Sequence, residues 1–207
     1  MSILRKTTNS YFCCPPEVLE VVHLASHLSR TTGGNALHED EHLSTGFELL
    51  QRAQSVDVLA WALKARDIPA LATSAIGSRY RAGSAHRLAA CLYVMQAVPS
   101  LQKSVGEEVL EVIMDDLHHT LEAIPSSDSN FKSTAWPTFI FGATAKSGER
   151  KTWVVDRIRR LAVAYPWGYL NTSMETLEIL WSLEAEGKLK KGWLPTLRDP
   201  KHNILVV

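Results

Sequence analysis

The residues best equipped for chemistry sit together near the N-terminus, in the run His38-Glu39-Asp40-Glu41-His42. The spacing matches H-E-x-x-H, in which two histidines one helical turn apart bind zinc and the glutamate acts as a base. A zinc helix needs apolar neighbours to seat it against a core. Here both intervening residues are acidic, and the flanks are Gly33-Gly34-Asn35 and Ser44-Thr45-Gly46. No third ligand follows at a suitable spacing. The segment therefore reads as an exposed polar loop ahead of a helix, and neither a metal nor a cofactor is expected.

The remaining reactive side chains form no clearer set. His23 and His27 are four apart on the polar arc of a helix, which makes them a solvent-facing pair. His118 and His119 are adjacent, so on a helix they diverge by about 100° and cannot share one site. Cys13 and Cys14 lack the C-x-x-C spacing of redox enzymes and read as two thiols at the edge of the fold. Cys91, among apolar neighbours, reads as an inert core thiol. P-loop, dinucleotide-binding and nucleophile-elbow patterns are absent from the sequence. Six tryptophans (Trp61, Trp136, Trp153, Trp167, Trp181 and Trp193) supply large apolar areas, most of them for a core, with two or three available to line a cavity between helices.

These side chains are carried by a chain that reads as all-α, a single domain of about seven helices around one core. The first helix spans Pro16 to Arg30, with Val18, Val21, Val22, Leu24, Ala25 and Leu28 on one arc. The second runs from Ser44 or Thr45 to Arg66. The third, Ser84 to Val98, is apolar all round after Arg87, the mark of a central buried helix. Ser104 and Glu107 form a capping-box pattern ahead of the fourth, whose apolar repeat is 105, 109, 112, 113, 117, 121 and 124. Thr134 is placed to cap the fifth, with Pro137 in its first turn. The sixth covers Ser147 to Ala164. Thr172 and Glu175 form a second capping box opening the seventh, which Gly187 stops. Residues 1–10 read as a loose N-terminus, 11–187 as the helical domain, and 188–207 as a basic tail that packs on or extends from it.

Of 207 residues, 45% are hydrophobic and 21% charged, with 22 basic and 22 acidic side chains and a net charge of zero. That is a globular composition, without the basic footprint of a nucleic-acid binder. No apolar run approaches the roughly 20 residues a membrane span needs. Charge is nevertheless segregated. Residues 105–128 hold seven carboxylates and no Lys or Arg, and residues 146–160 hold six Lys or Arg. These runs read as solvated helix faces; the rival reading is an acidic and a basic face that meet in an oligomer or partner complex.

The stretch Ala135-Trp136-Pro137-Thr138-Phe139-Ile140-Phe141-Gly142-Ala143-Thr144-Ala145 resembles a motif in the C-terminal regulatory domain of fungal zinc-cluster (Zn2Cys6) transcription factors. In that family W-P-x-F-I-x-G-x-E-A precedes a charged helix and then a helix with an x-L-W pattern, which Leu180-Trp181 resembles. Arg79-Tyr80-Arg81 with the segment from His86 to Val94 is similar to the family's alanine-rich helix. Phe12 to Leu19 is similar to its G-x-P-x-E-L-L start. The family's usual Glu falls on Thr144 here.

The resemblance implies a helical regulatory module of transcription that senses a small apolar molecule, dimerises with itself or with a zinc-cluster factor, or contacts the transcription machinery, in nucleus or cytoplasm. Three cysteines cannot build the family's six-cysteine zinc cluster, so the chain alone is expected to bind no specific DNA. The alternative is an enzyme of fungal secondary metabolism on the same scaffold. Its polar groups would come from His23, His27, His86, Tyr93, His118 and Tyr165.

Overall fold

The structure, a computed structural model, describes residues 13–31, 39–67, 73–189 and 192–197. Its helices are α1 (Pro16–Thr31), α2 (Glu39–Gln54), α3 (Val58–Leu63), α4 (Thr73–Ala97), α5 (Pro99–Val105), α6 (Glu107–Glu122), α7 (Ala135–Thr144), α8 (Gly148–Ala164), α9 (Gly168–Ala185) and α10 (Trp193–Leu197). Single 3-10 turns extend α3 (Lys64–Asp67) and lead into α7 (Phe131–Thr134). No strand occurs among the described residues. The expected N-terminal loop (1–10), the break after the first helix, His38 and the last ten residues lie outside the described set.

The fold is organised by α4. Ala82, Ala85, Ala89, Ala90, Cys91, Leu92, Val94, Met95 and Ala97 are all buried, and their positions ring the helix. Alanines keep its girth small and let neighbours approach closely. The helices α1, α2, α3, α5, α6 and α7 all pack on it, and α7 in turn carries α8 and α9. The central helix begins eleven residues before the expected Ser84, because Arg79 and Arg81 find partners there. The Arg79 guanidinium lies 3.8 Å from the centroid of the Trp61 ring, and Arg81 reaches the Asp128 carboxylate at 3.7 Å. Asp128 also accepts from Ser78 Oγ and from Asn130 N, which ties the loop after α6 to the start of α4.

All seven expected helices are present, but several boundaries move for identifiable reasons. The second divides in two. Asp57 caps α3 by accepting from Ala60 N at 2.8 Å, after a break at Ser55-Val56. The Glu39–His42 segment is not a loop but the first turn of α2, where three acidic residues complement the helix dipole. Neither capping box exists. Ser104 Oγ donates to Ser100 O inside α5, and Gly106, at φ +88°, makes the turn into α6. Thr172 lies inside α9, which starts at Gly168. Thr134 Oγ1 donates to Phe131 O rather than capping α7. On α6 the buried stripe is Leu110, Ile113, Met114, Leu117 and Leu121; Val109 and Val112, expected inside, are 40% and 59% exposed. Ser147 and Gly187 act as expected, at the start of α8 and the end of α9.

The segregated charges meet within the chain. Lys146 pairs with Glu107, Arg150 with Glu111 and Asp115, and Lys151 with Glu184, each at 2.7 Å. The α8 face thereby fastens to α6 on one side and α9 on the other. One member of the basic run does something else. Arg157, 1% exposed, points into the core. Its Nη2 donates to Ile124 O at 3.3 Å and to Thr134 Oγ1 at 3.2 Å, and its guanidinium faces the Phe131 and Trp153 rings. No carboxylate pairs with it among the described residues. The carbonyl beyond the end of α6, the helix's negative pole and two π faces stand in for one. Burial, reinforced by nearby Arg160, lowers its pKa to about 10.

Arg157→Ala should lower stability by about 3 kcal/mol or more, since it strands buried acceptors at roughly 1–3 kcal/mol each and opens a cavity. Arg157→Lys should recover less than half of that loss, because an ammonium cannot span both acceptors and stack on the rings. Denaturant midpoints compare the two; a neutral Arg157→Ala would contradict this role.

Candidate functional site

The motif block shows what its residue types are for. Helix α7 buries Thr138, Phe139, Ile140 and Phe141 between α4 and the α8–α9 pair. Gly142 sits where α7 meets both outer helices: a Cβ there would come within 2.8 Å of Val154 and 3.1 Å of Leu177. Its carbonyl accepts from Trp181 Nε1 at 3.0 Å. The two motif segments, W-P-x-F-I-x-G and L-W, are therefore in direct contact. Thr144, which stands at the motif's Glu, donates to Ile140 O in the preceding turn. Trp136, one of the tryptophans most of which were expected to supply the core, is only half-buried. It stacks on His86 at 5.8 Å and tilts against Tyr93 at 6.2 Å, sealing the edge over Cys14, Val18 and Ala90. Of the six tryptophans only Trp61 and Trp193 are buried; Trp193 meets Phe139 and Tyr93 and brings α10 onto the core.

The other candidate side chains are dispersed. His86 and Tyr93 share the Trp136 ring, and His86 Nε2 is 2.9 Å from Ser133 O. His118 lies between Phe141 and Trp153, with Glu122 at 3.6 Å. His23 and His27 are exposed on α1 with ring centroids 4.5 Å apart. Tyr165 stacks on Trp167. His118 and His119 diverge, as adjacent helical residues do; His119 Nδ1 faces Asp115 O at 2.8 Å. Among the described residues no three His, Cys, Asp or Glu side chains are grouped to hold a metal.

Cys13 and Cys14 are not at the edge of the fold. Both are buried, as is Cys91, and all three are free thiols. Burial pushes the Cys13 thiol up to about 11 and Cys91 to about 12, and raises Cys14 well above its ordinary value.

Two open clefts mark the surface. One, of about 370 Å³, lies among α1, α2 and α3, with Glu17, Glu20, Arg52, Asp57, Trp61 and Lys64 in its walls. Glu20 and Arg52 pair across it at 3.4 Å. The second, of about 350 Å³, lies between α4 and α6 and is lined by Arg81, Ser84, Arg87, Asp116, His119 and Thr120 among others. Sequence reasoning missed it. Its only signal was Arg81 and Arg87 flanking Ser84 at near-helical spacing, across the expected start of the helix at Ser84.

A helical body built on one wrapped helix, closed by a W-P-x-F-I-x-G block against an L-W helix, defines the class. The chain belongs to the fungal specific transcription factor domain family, whose model matches residues 5–207. The acriflavine sensitivity control protein acr-2 of Neurospora crassa is 31% identical over 212 residues, covering 96% of this chain and 35% of that protein. The chain thus spans about a third of that relative's length. No solved structure matches it. No helix among the described residues is long and apolar enough to cross a membrane.

The buried thiols carry a prediction. Their folded pKa values are raised, so the stability they contribute is complete below about 9 and is lost as the pH rises toward 11 to 12. At pH 8 the native protein should react with a disulfide reagent only at the rate of unfolding, releasing three equivalents promptly once denaturant is added. Prompt reaction of the native protein would contradict the burial of Cys13 and Cys14.

Proposed function

We propose that this chain is a non-catalytic regulatory module of transcription, in which occupancy of the α4–α6 cleft is passed to a protein partner. That partner is a second copy or a zinc-cluster factor. The observation that supports this most is where the cleft lies. Its floor is α4, on which most of the other helices pack. A ligand that shifts α4 against α6 must repack their neighbours, because close-packed interfaces switch between arrangements rather than deform smoothly. The shallow, charged walls suit reversible binding. For the enzyme alternative the candidate groups are dispersed, with His86 and Tyr93 meeting only at Trp136. The Neurospora protein is named for control of acriflavine sensitivity. A comparable control of the response to small molecules is proposed here, in nucleus or cytoplasm.

A tethering experiment tests the reading. Fused to a sequence-specific DNA-binding domain in a fungal reporter strain, the chain should change reporter output. Tyr80→Ala combined with His119→Ala, at exposed positions of the cleft, should cut that change by at least about fivefold, the low end of ordinary coupling between sites. Output equal to that of the DNA-binding domain alone would contradict the reading.

A further inference from the structure

We propose that the cleft among α1, α2 and α3 binds a small zwitterion, a free amino acid or a compound with the same paired charges. The site is separate from the α4–α6 cleft, so the inference goes beyond the regulatory reading and stands without it.

The argument begins with Trp61. The residue is 7% exposed, and it lines the cleft. Its orientation is set by α4. A Cβ at Gly83 would come within 2.7 Å of Trp61 Cζ3 and 3.1 Å of Cε3, so that edge of the indole lies on α4. The Arg79 guanidinium covers a ring face, 3.8 Å from the centroid. Nε1 is on the edge opposite Cε3 and Cζ3, and therefore points away from α4. A buried tryptophan usually finds a partner for its N–H. This one has none among the described residues and, unlike the N–H of Trp193, is not sealed from solvent. It is a fixed donor in the wall of an open recess.

The charges around it are of both signs. Lys64 follows Trp61 by three residues, which puts the two on one side of the α3 segment. It is exposed and lines the cleft, and it has no ion pair among the described residues. Glu17, exposed in the first turn of α1, is likewise unpaired there. Asp57, also exposed, has spent one oxygen on Ala60 N. Glu20 and Arg52 already answer each other at 3.4 Å. What remains is a donor pair, the Trp61 N–H and the Lys64 ammonium, and an acceptor pair, Glu17 and Asp57.

This mixture selects by charge. The carboxylates oppose a lone anion, and Lys64 and Arg52 oppose a lone cation. A ligand with a carboxylate and an ammonium a few bonds apart answers both pairs at once. Val21, Val56 and Ala60 line the same cleft and offer contact to an apolar side chain. The volume of about 370 Å³ is that of a small-molecule site.

The test uses the full chain and follows thermal denaturation with each of the common L-amino acids at on the order of 10 mM. At least one should raise the melting temperature and bind saturably by calorimetry. Two analogues of that amino acid, the amine without its carboxylate and the acid without its amine, should each bind about tenfold more weakly or worse. Lys64→Gln should weaken the amino acid about tenfold and leave the amine unchanged. Glu17→Gln should weaken the amino acid and leave the acid unchanged. Both positions are exposed, so both variants should fold as the wild type does. Lys103→Gln, exposed on α5, should change nothing. No saturable binding by any amino acid would overturn the proposal. So would an amine or an acid that binds as tightly as the amino acid, or equal losses in Lys103→Gln and Lys64→Gln. The reporter experiment alters the other cleft, so the regulatory reading and this site fail separately.

Discussion

A helix buried around its whole circumference has no stable place until other helices surround it, and the C-terminal part of α4, from Ala89 on, imposes that condition on this chain. From Ala89 to Ala97 every residue but Tyr93 is buried, whereas nearer the start Tyr80, Arg81, Arg87 and Leu88 border the α4–α6 cleft. Isolated helices gain little from propensity alone, and most of their stability comes from packing. Folding α4 therefore means folding its wrapping at the same time. The alanine-rich stretch from Ala82 to Ala97 sets how near the wrapping helices come, and the bulk is supplied from outside by Leu49, Leu101, Met114, Leu117 and Ile140. Each fully buried side chain of this size contributes roughly 1.5–3 kcal/mol against a conformational entropy cost of similar total size.

The second half of the domain is held to this post through α7. Gly142 allows the close approach of α8 and α9, and the Trp181 indole bonds to its carbonyl. Arg157 works from the far side, joining α8 to the end of α6 and the start of α7. A buried guanidinium without a carboxylate is costly in isolation. It is tolerable here because it answers a helix-end carbonyl, a hydroxyl and two aromatic faces together. The surface ion pairs between α8, α6 and α9 are exposed enough that each adds little. Their effect is on register, since acidic α6 and acidic α9 both face a basic α8.

What could be read from the residues alone was whatever follows from local pattern. The absence of a polar face identified α4 as central, and the W-P-x-F-I-x-G block led to the family. Three kinds of feature escaped for a common reason, which is that tertiary partners decide them. The S-x-x-E and T-x-x-E patterns mimicked caps, but a pattern cannot say whether a helix has already begun; at Ser104 the hydroxyl bonds back into its own helix. Arg157 looked like one more basic residue on a solvated face, and only the neighbouring α6 terminus shows otherwise. The α4–α6 cleft was invisible because its two walls are some thirty residues apart and the expected helix, starting at Ser84, left Tyr80 and Arg81 of the α4 wall outside it.

Hydrogen exchange of the backbone amides tests the central claim, that α4 is the post on which the fold depends. Amides from Ala82 to Met95 should exchange only through global unfolding, with an opening free energy equal to that from chemical denaturation, while α1, α3 and α10 open more readily. If the α4 amides exchange as fast as those of α1 or α3, the helix opens locally and the account of the fold is wrong.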